Sequence, residues 1–336
     1  MSLKFNQDTR NARILSVGAY RPPRVVPNSE IIERIDSTDK WIQQRTGIQS
    51  RHFADADESL IDMAEKSANI AIARAGLKNE DIDAVIFATI SYPYQAPSAA
   101  SELIVRLGNP SAAAFDISAA CAGFCYGVAL ANDLVRNKTA KNVLVMGAEK
   151  LSDFTDPDDR ATAFIFADGA GSVVIGPSSD IGIGPTIWGA AAESREAILL
   201  EPSYLEFKNN PGKLDIGWPN ISQQGQSVYR WAVYGMPPVA LRALEAAGLT
   251  PETLDVFIPH QANDRIIEAL VKSIKLPDSV VVAHDIRTSG NTSSASIPLA
   301  MDALLAERPE LYGKSALLIG FGAGLVYAGQ VVELPS

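Results

Sequence analysis

Residues 116–129 read DISAACAGFCYGVA and lead from an apolar strand, 112–117, through small residues to a thiol, Cys121. From Phe124 to Val135, large apolar side chains recur every four to seven positions, which predicts a helix. Cys121 is therefore expected at a helix N-terminus, where unpaired N–H groups and the helix dipole lower the pKa of a thiol. A buried apolar cysteine would fit the same pattern, so this stretch alone favours a nucleophile without deciding the matter.

The composition is that of an ordinary globular chain, with 336 residues of which 47% are hydrophobic and 20% charged. The opening residues MSLKFNQDTRNARILSV carry charge without a long apolar run. No later stretch approaches the ~18 consecutive apolar residues of a membrane helix, and we expect a soluble, cytoplasmic protein. The formal charge of −10 argues against a general nucleic-acid binder, which usually has a basic face.

The two cysteines, Cys121 and Cys125, lie four positions apart on one predicted helix. This spacing suits neither a metal-binding pair nor a disulfide framework, so a reducing compartment is the simplest assumption. We expect no metal site, and Cys125, one turn into the helix, is interpreted as structural.

A long internal repeat organises the chain. The phrase AGLKNEDIDAVIFATI starts at Ala75, after a predicted amphipathic helix, 59–75. A matching phrase, AGLTPETLDVFIPH, starts 172 positions later at Ala247, again after a predicted helix. In both copies a turn leads into a buried strand.

The repeat continues beyond these phrases. AAAFDISAAC matches VVVAHDIRTSGN, which aligns Asp116 with Asp285, and Gly-Ala-Gly at 169–171 and 322–324 predicts a hairpin turn in each half. Strands that alternate with helices predict largely parallel sheets covered on both faces. We therefore predict an α/β fold of two similar halves about a pseudo-twofold axis. Their boundaries are 1–177 and 178–336.

The repeat also brings candidate polar residues toward one site. The turns at Cys121 and at Gly290–Asn291 follow corresponding strands, so two helix N-termini are expected to face each other. His260 ends the strand of DVFIPH, at the edge where open α/β sheets place ligands. A lone histidine is more often structural, and Asn291 equally fits a helix cap. Together, a thiolate nucleophile and neutral His and Asn donors would suit thioester exchange.

The segment GFGAG, residues 320–324, superficially matches a dinucleotide fingerprint. Too few residues follow it to form the helix and second strand of such a site. A glycine-rich hairpin that closely approaches Cys121 is the better interpretation. The backbone N–H groups of Cys121 and Ala323 are then the predicted oxyanion hole.

Several motifs resemble those of the thiolase superfamily. They are DKWIQQRTGI, DISAACAGF, DRATAFIFADGAG, VFIPHQANDRI, SGNTSSASIPLA and GFGAGL. The resemblance runs from about Ile14 to the C-terminus and is greatest to the beta-ketoacyl-acyl carrier protein synthase III family, the initiating condensing enzymes of bacterial fatty acid synthesis. It implies a layered α-β-α-β-α arrangement and a homodimer.

The resemblance further implies an activity. Cys121 would take an acyl group from acyl-CoA, and His260 with Asn291 would stabilise the enolate formed when malonyl-acyl carrier protein loses CO2. Attack of this carbanion on the acyl thioester gives 3-oxoacyl-acyl carrier protein. No cofactor is implied, since the CoA thioester is a substrate. An alternative is a non-condensing acyltransferase or thioester hydrolase of secondary metabolism that uses the same acyl-Cys121, and a third is a carrier-binding scaffold with a dead site.

Other residues match binding positions of the family. Trp41 and Arg160 match positions that flank the CoA adenine, and Arg45 matches one near the phosphates. Ala96 stands where some relatives carry a bulky Phe, which suggests room for a longer or branched acyl chain. The implied acyl carrier protein contacts are Gln261, Ala262, Asn263, Asp264 and Arg265, with Arg230 and Lys272. Arg265 and Lys272 share one helix face that suits an acidic partner, although Lys272 also fits an ordinary solvated face.

Overall fold

The computed structural model describes residues 10–210 and 217–336. Residues 1–9, which begin the charged opening stretch, lie outside the described residues, as do residues 211–216. The described strands are β1 (Asn11–Tyr20), β2 (Arg24–Pro27), β3 (Ser50–Phe53), β4 (Ala84–Ala88), β5 (Ala113–Ile117), β6 (Val143–Lys150), β7 (Asp168–Ser178), β8 (Ile187–Ala190), β9 (Ile198–Glu201), β10 (Asn220–Gln223), β11 (Val256–Pro259), β12 (Val281–Val282), β13 (Ser315–Gly322) and β14 (Val326–Glu333). The described α-helices are α1 (Asn28–Ile31), α2 (Asp39–Thr46), α3 (Leu60–Arg74), α4 (Ala99–Arg106), α5 (Gly123–Arg136), α6 (Tyr204–Asn209), α7 (Gly225–Ala246), α8 (Asp264–Ile274), α9 (Ile286–Ser289) and α10 (Ser296–Glu307).

Two five-stranded sheets share one topology. The first has the order β5-β4-β6-β7-β1, and the second has the order β12-β11-β13-β14-β8. In both, the first three strands are parallel and the last two pair antiparallel. The predicted duplication is therefore confirmed. The first sheet ends at Ser178 and the second begins at Ile187, and the boundary between 177 and 178 stays a prediction.

Helices form three layers around the two sheets. α3 and α4 cover the outer face of the first sheet, α7 and α8 cover that of the second, and α5 and α10 lie between the sheets. In this central layer, Phe124 of α5 and Met301 of α10 are fully buried. The predicted α-β-α-β-α arrangement is confirmed. Among the described helices, none combines the length and hydrophobicity that crossing a bilayer requires.

The repeated Ala-Gly-Leu phrase ends a helix in each half. Gly76 after α3 and Gly248 after α7 have φ angles of +68° and +72°, in the left-handed region that favours glycine. The N–H group of Leu77 donates to the Ile72 carbonyl at 3.1 Å, and Leu249 repeats this bond after α7. This arrangement caps the last carbonyl groups of a helix, which explains why the phrase occurs twice.

Two details of the predicted repeat are wrong. Residues 169–171 lie inside β7 rather than in a turn, and a Cβ atom at Gly171 would lie only 2.7 Å from Pro298 of α10. Glycine is thus needed there for close helix packing. Asp116 lies in β5, but Asp285 precedes α9, because β12 contains only two residues.

The β2–α2–β3 insertion connects the two halves beside the site. α2 packs against α8, and β3 packs against α9. Arg51 of β3 is fully buried, and its guanidinium donates to the Asn28 side chain at 2.6 Å and to the Phe164 carbonyl at 3.0 Å. Phe164 in turn contacts Trp41 of α2, edge to face. The insertion therefore fixes Trp41 against the loop that precedes β7.

Candidate active site

The chain makes the same unusual turn in both halves of the molecule. After β5 it enters a 3-10 turn, Ala120–Ala122, in which Ala120 has a φ angle of +45°. The corresponding turn before α10 has Ser293 at +49°. The two turns contact each other, as the repeat predicts. The structural counterpart of Cys121 is, however, Ser294 and not Asn291.

Cys121 is enclosed by protein on most sides but is partly accessible. A Cβ atom at Gly322, the last residue of β13, would lie 2.8 Å from Cys121 Cβ and 3.0 Å from its Sγ atom. The close approach of the glycine-rich hairpin is therefore confirmed, and any side chain at Gly322 would clash with the thiol. Ala323 lies beside Cys121 in the wall of one cavity. The two backbone N–H groups stay the predicted oxyanion hole.

The environment of Cys121 differs from the expectation of a low thiol pKa. Burial raises the pKa of the Cys121 thiol to about 12. The Ser293 hydroxyl lowers this pKa, although it makes no well-directed hydrogen bond, while a negative charge on Glu149 raises it. The turn before α5 lies where the sequence predicts it. However, the thiolate loses hydration in the folded protein, and this raises the thiol pKa more than the helix N-terminus lowers it. Cys121 therefore rests as a neutral thiol and must lose its proton as it reacts.

His260 follows β11 and is buried, with 2% of its surface exposed. Burial lowers the pKa of its imidazole to about 3, so the ring is neutral. Nδ1 lies 2.7 Å from the Ser296 hydroxyl, which also accepts the Gln261 N–H at 3.3 Å. The Ser296 hydroxyl hydrogen has an acceptor when it is donated to Nδ1. The single ring hydrogen of the neutral imidazole then lies on Nε2. Nε2 has no protein partner among the described residues and is available as a donor.

Asn291 is held by both its backbone and its side chain. Its N–H donates to the Ile165 carbonyl and its C=O accepts from Ala167, both at 2.9 Å. Its Oδ1 atom accepts the Ser293 N–H at 2.9 Å. The amide is therefore oriented with Nδ2 free of protein acceptors among the described residues, so it too can donate a hydrogen bond.

One cavity of about 510 Å³ joins these groups. It is lined by Cys121, His260 and Asn291 and extends to Trp41 and Arg45. Apolar side chains form most of the remaining wall: Ile90, Leu151, Phe164, Ile165, Phe166, Ile198, Ile221, Val228, Ile266 and Phe321. The cavity thus leads from an exposed arginine to a buried thiol, imidazole and amide.

Trp41 lies close to two guanidinium groups at the exposed part of this cavity. The Cζ atoms of Arg45 and Arg160 lie 5.6 Å and 5.5 Å from the centre of its indole ring. Both arginines are exposed. The structure therefore brings together the three residues predicted to bind CoA, in an arrangement that presents an aromatic face and positive charge to a nucleotide.

The predicted carrier-protein segment is only partly accessible. Gln261 is fully buried, and its amide donates to the Pro259 and Ala283 carbonyls. Asp264 is 5% exposed and is bound by His284 at 2.5 Å and by Arg287 Nε at 2.8 Å. Both side chains are bound inside the protein, and their role as carrier-protein contacts stays a prediction. Their packing fixes the start of α8.

The other members of this set lie at the surface or at the cavity wall. Arg265 and Lys272 are exposed on α8, and Arg230 is exposed on α7. Ala262 and Asn263 are half-buried, and the Asn263 amide donates to the Arg45 carbonyl at 3.1 Å. These five residues stay predicted carrier-protein contacts.

Ala96 is exposed and does not line the cavity around Cys121. It lies in the irregular segment between β4 and α4. Tyr92 and Tyr94 of this segment line a second cavity of about 440 Å³, which shares Ile90 and Ile198 with the first. The role of Ala96 in the acyl pocket stays a prediction.

Two further residues of the site were not predicted. Ser296, which sets the hydrogen-bonding state of His260, lies 36 positions away in sequence. Ser294 could have been found from the repeat by aligning SAACAG with TSSAS about the residue before the helix. No local pattern distinguishes Ser296 from the neighbouring serines.

The duplicated fold, with a thiol, an imidazole and an amide around one cavity, defines a thiolase-like acyltransferase. Residues 115–192 match the family model described as 3-Oxoacyl-[acyl-carrier-protein (ACP)] synthase III, and residues 244–334 match the model of its C-terminal part. A relative from Streptomyces coelicolor, beta-ketoacyl-[acyl-carrier-protein] synthase III 1, is 53% identical and is covered over 99% of each chain. The chain belongs to the beta-ketoacyl-acyl carrier protein synthase III family.

Solved structures agree with this assignment. The priming beta-ketosynthase of the R1128 polyketide biosynthetic pathway superposes with a TM-score of 0.97 at 41% identity, over 100% of this chain and 99% of that chain. The 3-oxoacyl-[acyl-carrier-protein] synthase III of Aquifex aeolicus VF5 gives a TM-score of 0.88 at 35% identity, over 96% and 100%. The similarity therefore extends over nearly the whole chain and is not confined to one motif.

Proposed function

We propose that this protein carries out the condensation that initiates fatty acid chains, in which acyl-CoA and malonyl-acyl carrier protein give 3-oxoacyl-acyl carrier protein, CoA and CO2. The observation that supports it best is the single cavity that contains Cys121, His260 and Asn291 and reaches the surface at Trp41 and Arg45. A cysteine hydrolase would use its histidine as a general base, whereas burial lowers the pKa of His260 to about 3 and makes it a poor base but still a neutral donor. The protein would act as a cytoplasmic homodimer without a cofactor.

The first half-reaction uses the thiol. Cys121 Sγ attacks the thioester carbonyl of acyl-CoA, the N–H groups of Cys121 and Ala323 stabilise the oxyanion, and CoA leaves with the proton from Cys121. Because the thiol is neutral at rest, this proton moves during the reaction and not before it.

The second half-reaction uses the two free donors. Malonyl-acyl carrier protein loses CO2, and His260 Nε2–H and Asn291 Nδ2–H donate to the enolate oxygen that develops negative charge. The enolate carbon attacks the acyl-Cys121 carbonyl, and the Cys121 sulfur leaves as a thiolate as 3-oxoacyl-acyl carrier protein forms. This thiolate takes a proton from solvent water and returns to the resting thiol. A neutral imidazole suits hydrogen bonding to the enolate, since it can donate without first being protonated.

The direct test supplies both substrates. The protein is incubated with acyl-CoA and malonyl-acyl carrier protein, and CO2 and 3-oxoacyl-acyl carrier protein are measured. Acylation of the protein without CO2 release or chain extension would reject condensation in favour of the non-condensing acyltransferase or hydrolase.

The likeness to a priming ketosynthase of a polyketide pathway favours a second candidate: the same condensation at the start of a secondary metabolite. Initial rates across acyl-CoA substrates of different length and branching separate the two contexts. The apolar wall around Ile198 and Ile221, and the second cavity beyond it, would decide the preferred chain.

Replacing Trp41 by Ala should raise the KM for acyl-CoA about tenfold. The substitution removes two cation–π partners and an aromatic surface, together worth about 1.4 kcal/mol. The matched substrate is an acyl thioester of N-acetylcysteamine, which lacks the nucleotide and should acylate both proteins equally. An equal loss with both thioesters would contradict a role of Trp41 in nucleotide binding.

Charge reversal at Arg265 should raise the KM for malonyl-acyl carrier protein roughly tenfold at low salt, and less at high salt. Lys272→Glu should have a smaller effect, because Arg265 lines the cavity that leads to Cys121 and Lys272 does not. Lys78→Glu, at an exposed site in the first half, is the control. If all three variants behave alike, the partner does not dock on α8.

A further inference from the structure

Glu149 of β6 is a carboxyl group without exposure to solvent, placed behind the site. Neither half-reaction uses it, yet it is close enough for its charge to affect the Cys121 thiol. It also contacts Ser294, the structural counterpart of Cys121, through Oε1 at 3.0 Å.

The two carboxyl oxygens have different surroundings. Oε2 accepts three hydrogen bonds, from the Thr89 hydroxyl and the Ile90 N–H at 3.1 Å each and from the Ser91 hydroxyl at 2.6 Å. Oε1 has one neighbour among the described residues, the Ser294 hydroxyl. Oε2 is thus surrounded as a carbonyl or carboxylate oxygen, while Oε1 is the atom that could carry a proton.

The Ser294 hydroxyl has two acceptor atoms around it but only one hydrogen. Its Oγ atom lies 2.8 Å from the Ala88 carbonyl oxygen and 3.0 Å from Glu149 Oε1. A carbonyl oxygen can only accept, so both contacts are hydrogen bonds only if Ser294 donates to Ala88 and Glu149 donates to Ser294. With an ionised Glu149, one of these contacts lacks a hydrogen.

No cation compensates a negative charge at this position in the described residues. Lys150, the next residue, points its Nζ atom at the Asp55 and Glu58 carbonyls. Asp168 on β7 is held by Ser152 and by the Ala54 N–H. The titratable group that faces Glu149 from the turn before α5 is Cys121. β4 and the turn before α10 contribute only neutral groups.

We propose that Glu149 is a positioning residue that carries a proton in the resting protein, with Oε1–H donating to Ser294, so that the turn facing Cys121 is fixed without a negative charge behind the thiol. Burial supports this assignment, because it raises the pKa of Glu149. The functional consequence, which rests on the proposed role of Cys121, is that ionisation of Glu149 opposes formation of the thiolate.

Infrared difference spectroscopy tests the protonation state directly. At pH 7.5 the protein should show the carbonyl band of a buried carboxylic acid, and Glu149→Gln should remove it. Asp168→Asn is the matched control: Asp168 only accepts hydrogen bonds and burial raises its pKa to about 6, so this variant should remove no such band. Absence of a band that depends on Glu149 would overturn the proposal.

Alkylation of Cys121 by iodoacetamide gives a second readout that does not require condensation. A glutamine amide imitates a protonated glutamate. At pH 7 the rate of Cys121 alkylation in the Glu149→Gln variant should therefore lie within about twofold of the rate in the unmodified protein. At alkaline pH, where Glu149 ionises, Cys121 of the variant should react faster than Cys121 of the unmodified protein. A severalfold faster reaction at pH 7 would show that Glu149 is already charged. If Glu149→Gln does not fold, Ser294→Ala removes the acceptor of the carboxyl proton and should shift the carbonyl band, and an unshifted band would overturn the assignment.

Discussion

Replacing Cys121 by Ala should abolish covalent acylation of the protein by acyl-CoA and reduce condensation on the order of 10⁴-fold or more, since no other thiol lines the cavity in the described part of the chain. Ala fits the site without new polar contacts, and the neighbouring residues Ala120, Ala122 and Gly123 are already small. Intact-protein mass spectrometry after mixing with acyl-CoA measures the acyl adduct, and the chain-extension assay measures turnover.

Cys125→Ala is the matched control, because it removes the only other thiol of the chain. Cys125 is fully buried in the first turn of α5, beside Gly320, and its carbonyl accepts from Gln330. This variant should keep the adduct, and any effect should appear in the thermal midpoint. An adduct that persists in Cys121→Ala and is lost in Cys125→Ala would contradict the assignment of the nucleophile.

The fold could be predicted from sequence because it is encoded twice. The Ala-Gly-Leu phrases end helices at Gly76 and Gly248 through the same local bonds, and each is followed by a buried strand. Helix ends of this kind depend on neighbouring residues and can therefore be recognised in the sequence. The Gly-Ala-Gly match at 169–171 misled because glycine serves two purposes: a turn in one half and close packing against α10 in the other.

The site was less predictable, because its chemistry depends on what surrounds each group. The sequence places Cys121 at a helix start, but only the folded protein shows that burial raises the thiol pKa to about 12. Similarly, HQANDR looks like one continuous contact segment. Its polar side chains at Gln261 and Asp264 turn inward, because Ala283, His284 and Arg287 from the following loop and α9 bind them.

His260→Ala and Asn291→Ala should retain acylation by acyl-CoA to within about tenfold but lose condensation by roughly 10²–10³-fold, the usual effect of removing one donor to a developing oxyanion. The reason is geometric: each side chain has a single free donor group, and its other polar atom is held by Ser296 or by the Ser293 N–H. The adduct is measured by mass spectrometry and the second step by CO2 release from malonyl-acyl carrier protein. Retained acylation in the same sample shows that the variant is folded.

A control variant and a pH series test whether His260 and Asn291 act in condensation rather than in acylation. His52→Ala removes another histidine, one that contacts the Pro22 carbonyl away from the cavity, and should leave both steps intact. Because the pKa of His260 is about 3, the positively charged imidazole forms only near and below that pH, and condensation by pre-acylated protein should not lose a His260-dependent component between pH 8 and pH 5. A loss with a midpoint near pH 6 would mean that His260 titrates and is not the neutral donor inferred from its burial. Equal loss of acylation and condensation in His260→Ala and Asn291→Ala would instead make these residues activators of Cys121.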